Sequence, residues 1–116
     1  MEIKRLHVGK RMSEGAIHNG TVYLAGQVTE DATLDIKGQT LNVLASIDRL
    51  LSEMGSDKTC ILRCQIFISD LNNFDAMNEV WEQWVVEGCT PPRATVEAKL
   101  AKPEWLIEMV VTAAQK

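Results

Sequence analysis

Two charged residues in the C-terminal third of the chain lie in settings that suit binding and catalysis. Arg93 directly follows Pro91 and Pro92, so its guanidinium extends from a stiffened backbone. A guanidinium held in this way can bind a carboxylate through two parallel hydrogen bonds. The alternative is a surface arginine that pairs with an acidic side chain, and the spacing alone does not decide between the two.

Glu108 lies within the apolar run from Leu106 to Val111. A carboxylate in such a run either occupies the solvent-facing side of an amphipathic strand or is placed there to move a proton to or from water. We therefore take Glu108 as the candidate catalytic residue and Arg93 as the candidate carboxylate-binding residue.

The pattern of apolar and turn-forming residues predicts the elements that position these two residues. Two N-terminal β segments are expected, Glu2 to Val8 and Gly15 to Gln27, with Asn19-Gly20 as a tight turn inside the second. In the segment Ala25-Gly26-Gln27, the glycine indicates a close approach of the backbone to another group. Two helices are expected, one from Asp35 to Met54 and one that begins after Asp70 and ends before Gly88. Three later strands are expected from Ile61 to Ser69, from Arg93 to Leu100 and from Leu106 to Ala114. In the first of these strands, one face is expected to carry Leu62, Cys64, Ile66 and Ile68.

This order, β-β-α-β-α-β-β, predicts an α+β sandwich in which two helices cover one face of a mixed or mainly antiparallel sheet. Residues 1–116 are expected to form a single domain. The chain is too short to supply a second layer for the other face, so further copies of the same chain are expected to cover it.

The last two strands are expected to form a hairpin that turns near Pro103. In that register Glu108 lies opposite Ala98. Ala98 is about five residues after Arg93, which is a distance of roughly 16 Å along the strand. One hairpin then cannot bring the two charged residues together. A ligand that uses both would bind in a cleft between two subunits.

Composition narrows the classes of function. The chain is 46% hydrophobic and 24% charged, as is typical of a globular protein, and its net charge of -4 without a basic cluster disfavours nucleic acid as a partner.

No apolar stretch approaches the roughly 20 residues of a membrane span and the N-terminus has no signal-peptide core, so we expect a cytoplasmic protein. We expect the cysteines, at positions 60, 64 and 89, to be reduced thiols, and neither they nor His7 and His18 have the spacing of a metal site.

Several short motifs resemble those of one known family in their order and spacing. They are Ala25-Gly26-Gln27, Asp70-Leu71-Asn72-Asn73-Phe74 with Met77-Asn78, Pro92-Arg93 with Thr95-Val96-Glu97, and Ile107-Glu108-Met109. Together they resemble the RidA/YjgF family over nearly the whole chain. The stretch from Arg11 to Asn19 is most similar to the YoaB branch of that family.

The resemblance implies a chorismate-mutase-like fold, a homotrimer with ligand sites in the clefts between subunits, and no cofactor. It also implies hydrolysis of reactive 2-imino acids, tautomers of enamines such as 2-aminoacrylate, to a 2-keto acid and ammonia. By position, Arg93 would hold the substrate carboxylate and Glu108 would orient or activate the attacking water. Gly26 would offer backbone contact near the ligand, and Asn78 would be a further site residue unless it is simply an exposed helix residue.

Two positions depart from the pattern of this family, and two other functions stay open. Met12 replaces a common tyrosine and Thr95 replaces a common cysteine, which implies a different substrate preference, toward larger or more apolar imino acids. The first alternative is a non-catalytic trimeric module that binds small carboxylates or acts as a chaperone. The second, an endoribonuclease or translation inhibitor, is disfavoured by the acidic balance and the lack of a histidine pair.

Overall fold

Six strands and two α-helices make up the part of the chain that the computed structural model describes, residues 2–116. In chain order they are β1 (Lys4–Val8), β2 (Ser13–His18), β3 (Thr21–Leu24), α1 (Ile36–Glu53), β4 (Ile61–Ile68), α2 (Phe74–Trp84), β5 (Arg93–Glu97) and β6 (Ile107–Ala114). Short 3-10 turns, Lys58–Cys60 and Leu71–Asn73, precede β4 and α2.

All six strands form one sheet in the order β1-β2-β3-β6-β4-β5. Every neighbouring pair is antiparallel except β4 and β5, which are parallel. The two helices pack side by side on one face of this sheet, so the predicted sandwich with a mixed sheet is confirmed. Within the described residues, neither helix is long and apolar enough to cross a membrane.

The second predicted β segment is a hairpin of two strands. His18 and Thr21 are Cα partners across the turn. Asn19 and Gly20 have φ angles of 53° and 77°, the left-handed conformation that a two-residue hairpin turn of this type requires. The local turn signal in the sequence therefore predicted the position of this hairpin.

Side-chain caps mark the start of α1 and of the 3-10 turn that leads into α2. The Asp35 carboxylate accepts a hydrogen bond from the Gly38 amide at 2.9 Å, which satisfies one of the free donors at the start of α1. Asp70 caps the turn before α2 in the same way, through the Asn72 amide. The apolar residues that recur along α1 are buried against the sheet: Ile36, Val43, Leu44, Ile47, Leu50 and Leu51.

The predicted hairpin between the last two strands is wrong. Strand β5 pairs in parallel with β4 at the edge of the sheet, and β6 lies between β3 and β4. Residues 98–106 cross the end of β4 instead of forming a tight turn. The physical reason is burial: alternate β6 side chains are almost fully covered, which favours a central strand that pairs along both edges.

One side chain of β4 also differs from the prediction. Leu62 was expected on the buried face, but the register of β4 against β6 shifts between Ile61 and Arg63. This β-bulge turns Leu62 outward, and its side chain is 51% exposed.

A buried amide fixes the segment between β5 and β6. The Gln39 side chain, which has no exposed surface, donates to the carbonyl oxygens of Leu34 and Glu104, each at 3.0 Å. Its oxygen accepts from the Leu106 amide at 2.9 Å. Gln39 therefore connects α1 to two loops and sets the position where β6 begins.

Replacing Gln39 with Leu is expected to lower the free energy of unfolding by about 3 kcal/mol, because buried backbone groups lose their hydrogen-bond partners. Chemical denaturation followed by circular dichroism measures this change. Gln83, exposed on α2, provides the matched control, and Gln83→Leu should change the stability by less than about 0.5 kcal/mol. A loss below about 1 kcal/mol for Gln39→Leu would show that the three contacts are not essential.

Candidate active site

Arg93, the first residue of β5, points to the helix-covered side of the sheet. Its Cα partner on β4 is Cys64, which has no exposed surface. The Cys64 amide donates to the carbonyl of Pro92 at 3.1 Å, so the backbone is paired immediately before Arg93. The guanidinium therefore extends from a fixed strand, as the two prolines predicted.

One face of α2 holds the Arg93 guanidinium. Nη2 donates to Oδ1 of Asn78 at 2.6 Å, and Nη1 lies 3.8 Å from Sδ of Met77. Cζ lies 5.1 Å from the centroid of the Trp81 ring and 5.9 Å from that of Phe74, within the range of cation–π attraction. All four of these partners are neutral.

The positive charge of Arg93 has no counter-charge among the described residues. Within residues 2–116, no carboxylate oxygen lies within 4.0 Å of its guanidinium nitrogens. The alternative of a surface ion pair is therefore wrong for this protomer. Asn78 occupies one of the five N–H donors of the guanidinium, and the remaining donors suit an anionic ligand.

Glu108 lies on the other side of the sheet. Its neighbours Ile107 and Met109 have no exposed surface, and strand alternation places Glu108 on the face that the helices leave uncovered. Its Cα partner, Phe67, is likewise partly exposed between two fully buried residues of β4. Glu108 is therefore on the solvent-facing side of β6 in this protomer, and its expected role in proton transfer stays a prediction.

Gly26 lies directly against the carboxyl group of Glu108. A Cβ added at Gly26 would overlap Oε2 of Glu108. Two backbone hydrogen bonds between Gln27 and Met109, at 2.8 and 3.1 Å, hold this segment beside β6. The close approach predicted at this glycine is therefore an approach to the Glu108 side chain.

Arg93 and Glu108 do not meet within one chain. Strand β4 lies between their strands, which separates them laterally by about 10 Å, and their partners Cys64 and Phe67 are three residues apart, roughly another 10 Å. The two backbones are thus about 14 Å apart and the side chains face opposite sides of the sheet. The expected register, with Glu108 opposite Ala98, is wrong, but the two residues are separated nonetheless.

The two positions that depart from the family pattern lie in different parts of the sheet. Thr95 lies two residues after Arg93 on the same face of β5 and is partly buried. Met12 precedes β2 and is 52% exposed. Strand β2 flanks the segment of Gly26, because the Ala25 amide donates to the carbonyl of Glu14 at 2.9 Å. The candidate residues thus form two groups, one with Arg93 and one with Glu108.

Sequence reasoning missed two aromatic residues at the site. Phe74 and Trp81 of α2 were not among the predicted site residues, but both rings contact the guanidinium of Arg93. The available signal was the spacing of Phe74, Asn78 and Trp81, four and then three residues apart, which places them on one helix face.

The metal-binding side chains and the cysteines of the described residues form neither a metal cluster nor a disulfide. Within residues 2–116, no group of three or more His, Cys, Asp and Glu side chains is arranged to hold a metal ion. All three cysteines are free thiols, with Cys60 partly buried and Cys89 exposed. Burial raises the pKa of Cys64 to about 12 against the opposing effect of the nearby Arg93 charge, so this thiol stays protonated.

Comparison with known proteins decides the family. The sequence model of the family described as Endoribonuclease L-PSP matches residues 2–115. The chain belongs to this family. The RutC family protein of Haemophilus influenzae is 45% identical to it over 115 residues, which cover 97% of this chain and 98% of the relative. The RutC family protein YoaB of Escherichia coli is 44% identical over 114 residues, covering 98% and 99%.

A solved structure agrees with the sequence comparisons. NMB1025 from Neisseria meningitidis, described as a member of the YjgF protein family, superposes with a TM-score of 0.97 at 43% identity. The match covers 100% of this chain and 97% of the other. The predicted RidA/YjgF family and its YoaB branch are therefore confirmed, and the chain carries the fold of the YjgF family.

Cys64 of this YjgF family member is expected to resist thiol reagents in the folded state. With a pKa of about 12, only about one thiol in ten thousand is ionised at pH 8, and the side chain is inaccessible. Exposed Cys89 serves as the internal control. Mass-spectrometric mapping after brief treatment with a maleimide should find Cys89 modified and Cys64 modified only after denaturation. Comparable labelling of the two in the native protein would contradict the burial of Cys64.

Proposed function

We propose that this chain hydrolyses reactive 2-imino acids, tautomers of enamines such as 2-aminoacrylate, to 2-keto acids and ammonia. The observation that supports this most is the Arg93 guanidinium, which is partly buried, hydrogen-bonded to Asn78 and without a carboxylate partner in residues 2–116. Such a receptor suits a small substrate that carries a carboxylate. Membership of the RutC/YjgF family agrees with it.

In the proposed reaction Arg93 binds the substrate carboxylate and so orients the imine carbon. Glu108 accepts a proton from a water molecule while the water oxygen bonds to that carbon, and the proton then passes to the imine nitrogen. The resulting amino alcohol loses ammonia as its C–N bond breaks, its hydroxyl proton moves to the leaving nitrogen, and the ketone forms. Because an imine carbon is already electrophilic, orientation and proton transfer suffice and no cofactor is invoked.

One protomer alone cannot supply both groups to one small molecule. Arg93 and Glu108 face opposite sides of the sheet, and their backbones lie about 14 Å apart across it. We therefore propose that each site forms between two copies of the chain, one of which contributes Arg93, Asn78 and Thr95. The neighbouring copy contributes Glu108 and Gly26, with Met12 nearby.

The uncovered face of the sheet supports such an assembly. It carries Tyr23 and Val96, which are 49% and 44% exposed, and partly exposed Phe67 beside Val96. Apolar side chains in this arrangement are typical of a surface that another subunit covers. The trimeric state is the one that the resemblance to the RidA/YjgF family implies, and we propose it for this chain.

The preferred substrate is proposed to be larger or more apolar than 2-iminopropionate, the imine tautomer of 2-aminoacrylate. Met12 supplies a flexible apolar side chain without a hydroxyl, and Thr95 supplies no thiol. A site with these two residues gains apolar contact with the substrate side chain and loses one hydrogen-bonding group.

Ribonuclease activity, which the family description mentions, has less support. The net charge is -4, whereas RNA binding requires a surface that attracts phosphate. His7 contacts Glu53 at 3.0 Å. His18 lies at the far end of the neighbouring strand, about 13 Å from His7 by the register of β1 and β2. The two histidines therefore do not form an acid–base pair for phosphodiester cleavage.

Replacing Glu108 with Gln is expected to reduce kcat for imine hydrolysis about 100-fold or more, because an amide does not accept the proton from water. Binding of a 2-keto acid at Arg93 should persist. Arg93→Ala should lose both binding and hydrolysis. Ammonia release from imines that an amino-acid oxidase generates in place measures hydrolysis, and calorimetry with the 2-keto acid measures binding.

Matched variants control for the change in charge. Glu82→Gln, on the exposed side of α2, and Arg49→Ala, exposed on α1, should retain wild-type activity. Wild-type rates for Glu108→Gln would contradict the proposed mechanism. If the wild type accelerates no imine hydrolysis but binds keto acids through Arg93, the chain is a binding module instead.

Mixing the two inactive variants tests the shared site. If Arg93→Ala and Glu108→Gln chains are unfolded together and refolded at equal amounts, some interfaces combine an intact Arg93 with an intact Glu108. In randomly mixed trimers about one quarter of the wild-type activity should return. Each variant refolded alone is the control. Recovery of no activity, with mixed trimers demonstrated by native mass spectrometry, would show that the site does not lie between subunits.

A further inference from the structure

A cavity lies where the segment 98–106 crosses the end of β4. Two backbone hydrogen bonds fasten that segment to β4, from the Ala98 amide to the Ile68 carbonyl at 3.0 Å and from the Ser69 amide to the Leu106 carbonyl at 3.1 Å. The cavity has a volume of about 360 Å³, within the range of small-ligand pockets. Its lining consists of Ser69, Lys99, Leu100, Lys102, Pro103 and Trp105.

Hydrogen bonds hold the segment that forms the walls of this cavity in place. Gln39 binds the Glu104 carbonyl and the Leu106 amide with its buried side chain. The Trp105 amide donates to the carbonyl of Lys102 at 3.1 Å and closes a turn within the segment. A ligand would therefore meet a largely preformed cavity and would not have to order a loose loop.

Two lysines, Lys99 and Lys102, line the cavity, and neither has a counter-charge among the described residues. Among residues 2–116, no carboxylate oxygen lies within 4.0 Å of the ammonium of Lys99 or Lys102. Nζ of Lys102 lies 5.2 Å from the centroid of the Trp105 ring, a cation–π contact that holds the charge at the wall. The rest of the lining is apolar apart from Ser69.

From this arrangement we infer that the cavity is a binding site for a small carboxylate with an aromatic body. The two ammonium groups attract the carboxylate, and the walls formed by Leu100, Pro103 and Trp105 exclude water from the ring. A neutral molecule of the same shape would lose the attraction to the two ammonium groups. A carboxylate without a ring would lose the contact with the apolar walls. The ligand therefore needs both parts.

The cavity is distinct from the site that contains Arg93. None of its lining residues belongs to either group of candidate active-site residues. Lys99 comes six residues after Arg93, and β5 is extended through most of that interval, which separates the two backbones by about 20 Å. The inference consequently does not depend on the deaminase proposal.

Tryptophan resonances provide separate reporters for the two sites. Trp105 lines the cavity, Trp81 contacts the Arg93 guanidinium, and Trp84 lies under Lys58, with Nζ of Lys58 5.2 Å from its ring centroid. In ¹⁵N–¹H spectra of the full protein, phenylacetate should shift the indole N–H signal of Trp105, with a Kd on the order of 1 mM. Assignment follows from Trp105→Phe.

Substitution of the two lysines tests the role of charge. Lys102→Gln combined with Lys99→Gln should weaken the response of Trp105 to phenylacetate about tenfold, because the carboxylate loses both partners. Lys58→Gln is the matched control, since it removes an equivalent Lys–Trp contact elsewhere, and it should leave the Trp105 response unchanged. Arg93→Ala should abolish any response of Trp81 but preserve that of Trp105.

The inference is supported if phenylacetate binds more tightly at Trp105 than both acetate and 2-phenylethanol. Equal binding of 2-phenylethanol, or an unchanged response in the double lysine variant, would overturn the role of the charges. No shift of Trp105 at 20 mM phenylacetate would overturn the site itself. A Trp105 response that disappears with Arg93→Ala would show that the two regions form one site, whatever the outcome of the activity assays.

Discussion

The helices cover only one face of the sheet, and this constraint decides where each polar group of the candidate site lies. Alternate side chains of β6 point to the helices and are at most 1% exposed: Ile107, Met109, Val111 and Ala113. The larger ones each contribute roughly 2 kcal/mol to stability by burial. A shift of β6 by one residue would move Glu108 into this core and expose all four, so their burial holds the Glu108 carboxylate on the uncovered face.

The same division of the sheet places Arg93 among the helices. A charge beside a packed helix is costly unless it is hydrogen-bonded, and here the cost is limited in two ways. Strand β5 lies at the edge of the sheet, where the side chain keeps some contact with solvent, and α2 offers Asn78 and two aromatic rings. These neutral partners orient the guanidinium without neutralising it, which leaves it suited to an anion from outside the protomer.

The two halves of the candidate site therefore depend on different parts of one domain. Gly26 and Glu108 belong to the centre of the sheet on its uncovered face, and Arg93 belongs to an edge on the covered face. Because the uncovered face is also the one with exposed apolar side chains, the proposed assembly would complete the site and bury that surface together. In this proposal, folding, association and activity are linked because the helices cover only one face of the sheet.

The sequence by itself determined the features that depend on neighbouring residues. Asn19-Gly20 specified a hairpin and the apolar spacing along α1 specified its buried face, because each is a local interaction. It also singled out Arg93 and Glu108 as unusual polar residues. Only the tertiary structure decided the strand order, since pairing of β5 with β4 is a long-range contact and the segment 98–106 has no turn that dictates it. The registers of β4 with β5 and with β6 place the two charged residues on opposite faces of the sheet and set the distance between them.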